Sequence, residues 1–298
     1  MKKLAVLFLI FSLTCQAQNH VDIFKFNFGE SFKNNFKDTL STQIYSMDAE
    51  LTLPFKINQK HAVITGIDYS RNSLQLFPES SFSKLQSTTL KLGLASQWND
   101  KWSSAVVLLP KIASDYKDIS SKDFYLGLIA TAKMKKTENF SWRFGIYAST
   151  EAYGVFTTPI LGWQYQSPNE KFEMDMSLPI KGDMNYKLGV VSIGADYYGI
   201  SRSFRFQDDD KQKFYADLNS IKLSAYLQWN TFNESLLLRA KLGYSSDNYS
   251  VYNENQKIGL GLSAFKFGDN RTQLNPDLQG SPFFKIEAVY RFQVKSKN

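Results

Sequence analysis

Polarity alternates with a period of two, and this alternation constrains the chain more than any other feature. From Phe172 to Leu188 the even positions are Phe172, Met174, Met176, Leu178, Ile180, Gly182, Met184, Tyr186 and Leu188. The odd positions between them are Glu173, Asp175, Ser177, Pro179, Lys181, Asp183, Asn185 and Lys187. Successive side chains of a strand point to opposite faces, so such a segment is extended, with one apolar and one polar face. Similar segments recur at Met47–Phe55, Thr89–Leu94, Phe140–Ile146, Ile221–Gln228, Leu236–Gly243 and Phe284–Phe292. Period two over most of a chain predicts antiparallel sheet.

A soluble sandwich also alternates. Here the runs reach about 12 to 17 residues, against about 5 to 6 for ordinary globular strands, and charges sit mid-strand on the polar face. Beyond residue 17 no stretch has the 18 or so apolar residues of a membrane helix. Aromatic residues make up 15% of the chain while its mean hydropathy is −0.32. That pairing fits a transmembrane barrel, in which only every second residue meets lipid. The fold class expected is therefore all-β: a single antiparallel transmembrane β-barrel of about 12–14 strands, with short periplasmic turns and longer extracellular loops.

The first seventeen residues read as a secretory signal peptide. Lys2 and Lys3 precede the apolar run Leu4 to Leu13, and Cys15-Gln16-Ala17 sets small side chains before a cut between Ala17 and Gln18. Acylation of Cys15 is the competing reading, but Ser12-Leu13-Thr14 puts the leucine one place away from where a lipoprotein signal needs it. Two segments follow: residues 1–17 as leader and residues 18–298 as one barrel. Cleavage removes the only thiol and lowers the net charge from +7 to +5. The remaining basic residues are scattered among acids, which argues against a nucleic-acid partner.

Short polar links fall at 58–60, 99–100, 136–139, 167–169 and 230–233, and longer ones at 31–42, 77–83, 115–121, 207–213 and 253–281. Residues 171–188 pose the main ambiguity. One long strand there would require an extra strand near Lys257 to Phe267 to return both termini to one side. Two strands joined by an odd-length turn are preferred, because Pro179 lacks a ladder donor. Around the short links stand Trp98, Trp102, Trp142, Tyr165, Phe172, Trp229 and Phe292, an expected aromatic girdle at one membrane boundary. On the polar face, Lys91, Lys133, Arg143, Glu173, Asp175, Arg239, Lys241, Lys285 and Glu287 are expected to line the lumen. They would either shape a constriction for solutes or pair across a closed interior.

Catalytic patterns are weak. His20 stands at the mature N-terminus and His61 follows a short turn, neither placed for a triad. Ser81-Phe82-Ser83-Lys84 has Ser-x-x-Lys spacing without its partner motifs. Asp208-Asp209-Asp210 lacks the ligand spacing and glycine of a calcium loop. No catalytic residue, metal site or cofactor is expected.

Several segments carry a family likeness: Ala49-Glu50-Leu51-Thr52-Leu53-Pro54-Phe55, Ser87-Thr88-Thr89-Leu90-Lys91-Leu92-Gly93, Leu108-Leu109-Pro110-Lys111-Ile112-Ala113-Ser114-Asp115, Ser167-Pro168-Asn169-Glu170-Lys171-Phe172-Glu173 and Ala264-Phe265-Lys266-Phe267-Gly268-Asp269. On these the chain resembles an uncharacterised family, a domain of unknown function, of outer-membrane β-barrel proteins from Bacteroidetes-type bacteria. The resemblance implies an outer-membrane location and a single barrel, and it brings no catalytic residues. Tyr290-Arg291-Phe292 resembles the terminal strand read by the barrel-assembly machinery, although Gln293 to Asn298 follow it. The partners expected are outer-membrane lipid, that machinery during biogenesis, and a small solute or an extracellular partner. The function expected is a porin-like channel for small solutes. The alternative is a closed structural or interaction barrel with partner-binding loops.

Overall fold

The computed structural model describes residues 20–37, 40–208 and 211–293; the leader with its Ala17–Gln18 cut and the tail from 294 lie outside the described residues. Fourteen strands make one closed antiparallel sheet. In chain order they are β1 (His20–Ser31), β2 (Tyr45–Lys56), β3 (His61–Leu74), β4 (Ser83–Gln97), β5 (Trp102–Ser114), β6 (Phe124–Lys135), β7 (Phe140–Glu151), β8 (Gly154–Gln166), β9 (Phe172–Leu178), β10 (Lys181–Leu188), β11 (Val191–Gln207), β12 (Lys213–Thr231), β13 (Leu236–Asn253) and β14 (Ser281–Gln293). Each pairs with its sequence neighbours, and β1 closes the ring against β14, from His20↔Gln293 to Ser31↔Phe283. A one-residue irregularity between Asp22 and Phe24 lets both Asp22 and Lys25 reach the lumen.

Parity assigns the faces. Leu90, Leu92 and Leu94, or Ile221, Leu223 and Leu227, stand exposed on the outer wall, while Lys91, Lys222 and Ser224 of the same strands turn inward. Where the inward side chain is absent, neighbouring strands close up: a Cβ added at Gly162 of β8 would collide with the Met176 carbonyl of β9.

Both described termini lie at one end, where all six strand connections are two to five residues long. The tightest, Gly189-Val190, needs its glycine: Gly189 has φ +83°, a left-handed conformation that side-chain-bearing residues disfavour. At the opposite end the connections are unequal. Residues 32–44, 75–82, 115–123 and 254–280 form longer links, but 208–212 spans only five residues, and β7–β8 and β9–β10 turn within two, Ala152-Tyr153 and Pro179-Ile180. Length alternation therefore fails at three far-end turns.

For the two-residue turns the reason is a notch in the wall. Strands β9 and β10 have only seven and eight residues, against 12 to 19 for the others. Their hairpin encloses three residues between Ser177 and Lys181, the odd-length turn expected from the unbroken parity. Above it, the upper edge of β8 has no partner within the ring. The long last loop supplies one: Leu260–Leu262 lies parallel to β8, pairing Gly261 with Phe156 and Leu262 with Thr157, and folds back through Phe265–Phe267. The choice between a hairpin at 171–188 and a strand near 257–267 was therefore not exclusive. The wall uses the hairpin and patches the gap above it with a short piece of loop.

The upper half of β11 leaves the ring differently. It bends over the opening, where Arg205 bridges to Ser114 at the end of β5 and the Asp115 N–H donates to the Arg205 carbonyl at 2.9 Å. The buried carboxylate of Glu151 fixes the crossing: it accepts from the Ser203 N–H and hydroxyl at 2.8 Å each and from Lys111 Nζ at 2.6 Å. Under this arch lies an apolar cluster that includes Leu74, Leu85, Tyr153, Phe204, Tyr215 and Val251, all fully buried. The far end is capped by protein, not water.

Candidate functional site: the charged lumen

Below the cap the barrel encloses a cavity of about 830 Å³. It runs from His20, Arg291 and Glu234 at the terminal end to Ser87, Tyr249 and Phe283 beneath the cap. Seven of the nine charged residues expected inside line it: Lys91, Glu173, Asp175, Arg239, Lys241, Lys285 and Glu287. Arg143 sits behind Asp175, bonded to it at 2.7 Å, and Lys133 opposes Arg143 across the β6–β7 ladder.

These charges form networks. Lys91 Nζ bridges Glu50 at 2.5 Å and Asp68 at 2.7 Å. Arg239 reaches Asp183 at 3.0 Å and Glu287 at 3.2 Å, with its guanidinium 4.5 Å above the Tyr226 ring. Lys241 joins Asp196 at 2.6 Å to the other oxygen of Glu287 at 3.1 Å. Lys187 sits between Glu173 and Glu234 near the terminal mouth. Paired charges tolerate a partly desolvated wall, where a lone one would be costly. The lumen is polar and almost neutralised.

Sequence reasoning missed several charged residues of the lumen wall: Lys25, Asp48, Glu50, Asp68, Asp183, Asp196, Arg202 and Lys222. Parity could have given most of them, since they share the inward face with the residues chosen. Arg202 is harder to read, because the upper part of β11 is covered on both faces and its alternation is blurred.

The aromatic residues expected as a girdle gather at the terminal end. Trp98, Trp102, Trp229 and Phe292 are exposed on the outer wall, and Trp142, Tyr165 and Phe172 are half-buried there. Trp142 packs edge-on to Phe140 at 5.1 Å and to Trp163 at 6.1 Å, and Tyr165 lies 6.2 Å from Phe172.

His61 Nδ1 lies 3.0 Å from the Ser96 hydroxyl, and His20 lines the terminal mouth. Among the described residues no group of three or more His, Cys, Asp or Glu side chains could hold a metal ion.

A closed fourteen-stranded antiparallel barrel, apolar outside and charged within, is the class defined by this fold and site. The chain belongs to the family described as a domain of unknown function, DUF6268, whose model matches residues 15–192. No curated protein matches the sequence. Among solved structures, similarity extends to an outer membrane channel from Pseudomonas putida F1, at 7% identity and TM-score 0.47, covering 92% of this chain and 96% of that one. The NanC porin is similar at 9% identity and TM-score 0.36, with 90% and 98% covered. The P. putida toluene transporter TodX matches at 11% identity and TM-score 0.37, with 93% and 91% covered.

Proposed function

We propose that this protein is an outer-membrane barrel that admits small polar solutes to a charged lumen, a porin-like channel with a cap at its outer end. One observation carries the reading: a cavity of about 830 Å³ lined by paired charges, inside a wall whose outer face is apolar all round. A soluble protein has no use for exposed Leu, Phe and Ile on every strand, whereas acyl chains match that surface.

The patch fits this reading. Eight extended residues, tilted by about 40°, raise the wall only about 20 Å, less than the roughly 25 Å apolar band of such barrels. Leu260, Phe265 and Phe267 of the patch are exposed outward above the β9–β10 hairpin and extend the apolar surface where the strands fall short. Lipid surrounds the belt, the barrel-assembly machinery inserts the chain, and the terminal end with its aromatic residues faces the periplasm. The reading assigns no catalytic residue.

The cap supports a second reading, a closed structural or interaction barrel whose outer loops bind a partner. Planar-bilayer recording separates the two. A channel gives conductance steps, and these grow when residues 258–268 are replaced by a short linker. Absence of steps in both forms would remove the channel. Recovery of the folded protein from the soluble periplasmic fraction, rather than as a heat-modifiable membrane band, would remove both readings.

A further inference from the structure

Ten lysine and arginine side chains line the cavity, and eight of them have a carboxylate within 4.0 Å. The two without one among the described residues, Lys181 and Arg202, flank the same residue. Lys181 stands directly across the β10–β11 ladder from Tyr198, and Arg202 is four residues beyond Tyr198 on the same face of β11. Arg202 makes one hydrogen bond, at 2.9 Å to the neutral hydroxyl of Ser87 across the lumen. On the other side of Tyr198 the ladder partner is Lys222, whose nearest carboxylate, Asp247, is 3.4 Å away and also accepts from Ser220.

Tyr198 is itself unusual. It is an inward residue, yet 43% exposed, so part of its ring faces the cavity. Ile200, between Tyr198 and Arg202, and Ile180, beside Lys181, also line the cavity. The carboxylates of the facing wall are occupied, Glu50 and Asp68 both by Lys91. The other eight cations of the lumen wall each have a carboxylate in contact; here an apolar strip with a tyrosine ring lies between two whose nearest carboxylates stand beyond contact distance.

We infer that Lys181, Tyr198 and Arg202 form a binding site for a small organic anion, a carboxylate carried on a six-membered ring. The ring lies against Tyr198 and Ile200, and the carboxylate accepts charge-assisted hydrogen bonds from Lys181 or Arg202, which are the stronger kind and fix orientation. Four residues along a strand span about 13 Å, enough for a ring and its carboxylate between the two cations. The inference rests on the reading of the lumen as a solute compartment.

Equilibrium binding to the full-length mature barrel in detergent tests it, using benzoate and glucuronate against benzyl alcohol, glucose and benzylammonium. Benzoate, glucuronate or both bind, and the neutral and cationic analogues do not; the first pair separates an apolar ring from a hydroxylated one. Lys181→Gln or Arg202→Gln, whichever removes the cation that holds the carboxylate, weakens binding about tenfold or more, the usual consequence of losing one charge-assisted bond. Lys181→Arg keeps binding within about threefold, because the charge remains. Heat-modifiability on a gel checks that each variant is folded. Equal binding of anion and neutral analogue, unchanged affinity in both glutamine variants, or no binding at all would overturn the site. Single-channel recording stands apart: a barrel that binds benzoate without conducting loses the channel and keeps the site. One that conducts without anion binding does the reverse.

Discussion

The two ends of this barrel interior are built on opposite principles. Near the termini the inward side chains are charged and paired around the cavity, as in the Arg239–Glu287–Lys241 network. Near the far end they are mostly tyrosine, phenylalanine and leucine packed on one another, with the Asp217 and Arg271 pair buried beside them. The strand ladder is continuous between the two regions, most clearly in β12 and β13, which pair from Phe214↔Asn253 to Thr231↔Leu236. A closed sheet thus fixes only the outer face; what fills the inside changes along a single strand. Truncations should therefore hurt very differently at the two ends.

The largest effect is expected at Asp217. Its carboxylate is fully buried and holds Arg271 at 3.0 Å and Lys266 at 2.5 Å, and the Arg271 side chain is only 1% exposed. Asp217→Ala removes one of the two carboxylates that hold the buried Arg271 guanidinium, together with the carboxylate that holds Lys266, and destabilises the cap by about 3–5 kcal/mol. Limited proteolysis within 254–280 should quicken strongly while the terminal half stays resistant. Cleavage unchanged from the parent protein would show that cap and wall are a single cooperative unit.

A paired truncation sharpens the contrast. Phe204 is fully buried in the cap, whereas Leu223 is 57% exposed on the outer wall. Phe204→Ala should cost about 3–5 kcal/mol by leaving a cavity. Leu223→Ala should cost less than about 1 kcal/mol in detergent, whose hydrocarbon replaces the lost contacts. Denaturant unfolding followed by tyrosine and tryptophan fluorescence measures both, and equal losses would refute the difference between the regions.

The smallest effect is that of acid. Lys122, hydrogen-bonded to Glu254, and Arg205 beside it hold that carboxyl below the usual glutamate range, and Arg271 does the same for Asp269. A carboxyl lowered in the folded state contributes stability above its unfolded value and loses it as pH falls through its folded one. These pairs stand at the loop surface on their carboxylate side and contribute about 1 kcal/mol or less each. Lowering the pH from 7 to 3 should loosen the long loop, read as faster cleavage by an acid-active protease, before the wall unfolds.

Much of the wall was legible because lipid-facing positions recur every second residue, and the parity through Pro179 gave even the β9–β10 hairpin. The lumen was legible in part, since Lys91, Arg239 and Glu287 share the inward parity of their strands. The cap was not legible. Ser203, Phe204 and Phe206 of β11 are all buried, because β11 there has protein on both sides and period two no longer separates faces. The patch was legible only as the strand near Lys257 to Phe267 that the other option required, because three residues such as Leu260–Leu262 are too few to show a period.

The patch also imposes a timetable on the molecule. Its backbone meets β8 in parallel, at Phe156 and Thr157, about a hundred residues after that strand has passed along the chain. Until the segment beyond residue 254 arrives, the upper rim of β8 keeps bare donors and acceptors, which hydrocarbon cannot satisfy. A nascent barrel therefore stands for a time with an opening in its flank, and finishing it is an act of glazing as much as of joining first strand to last.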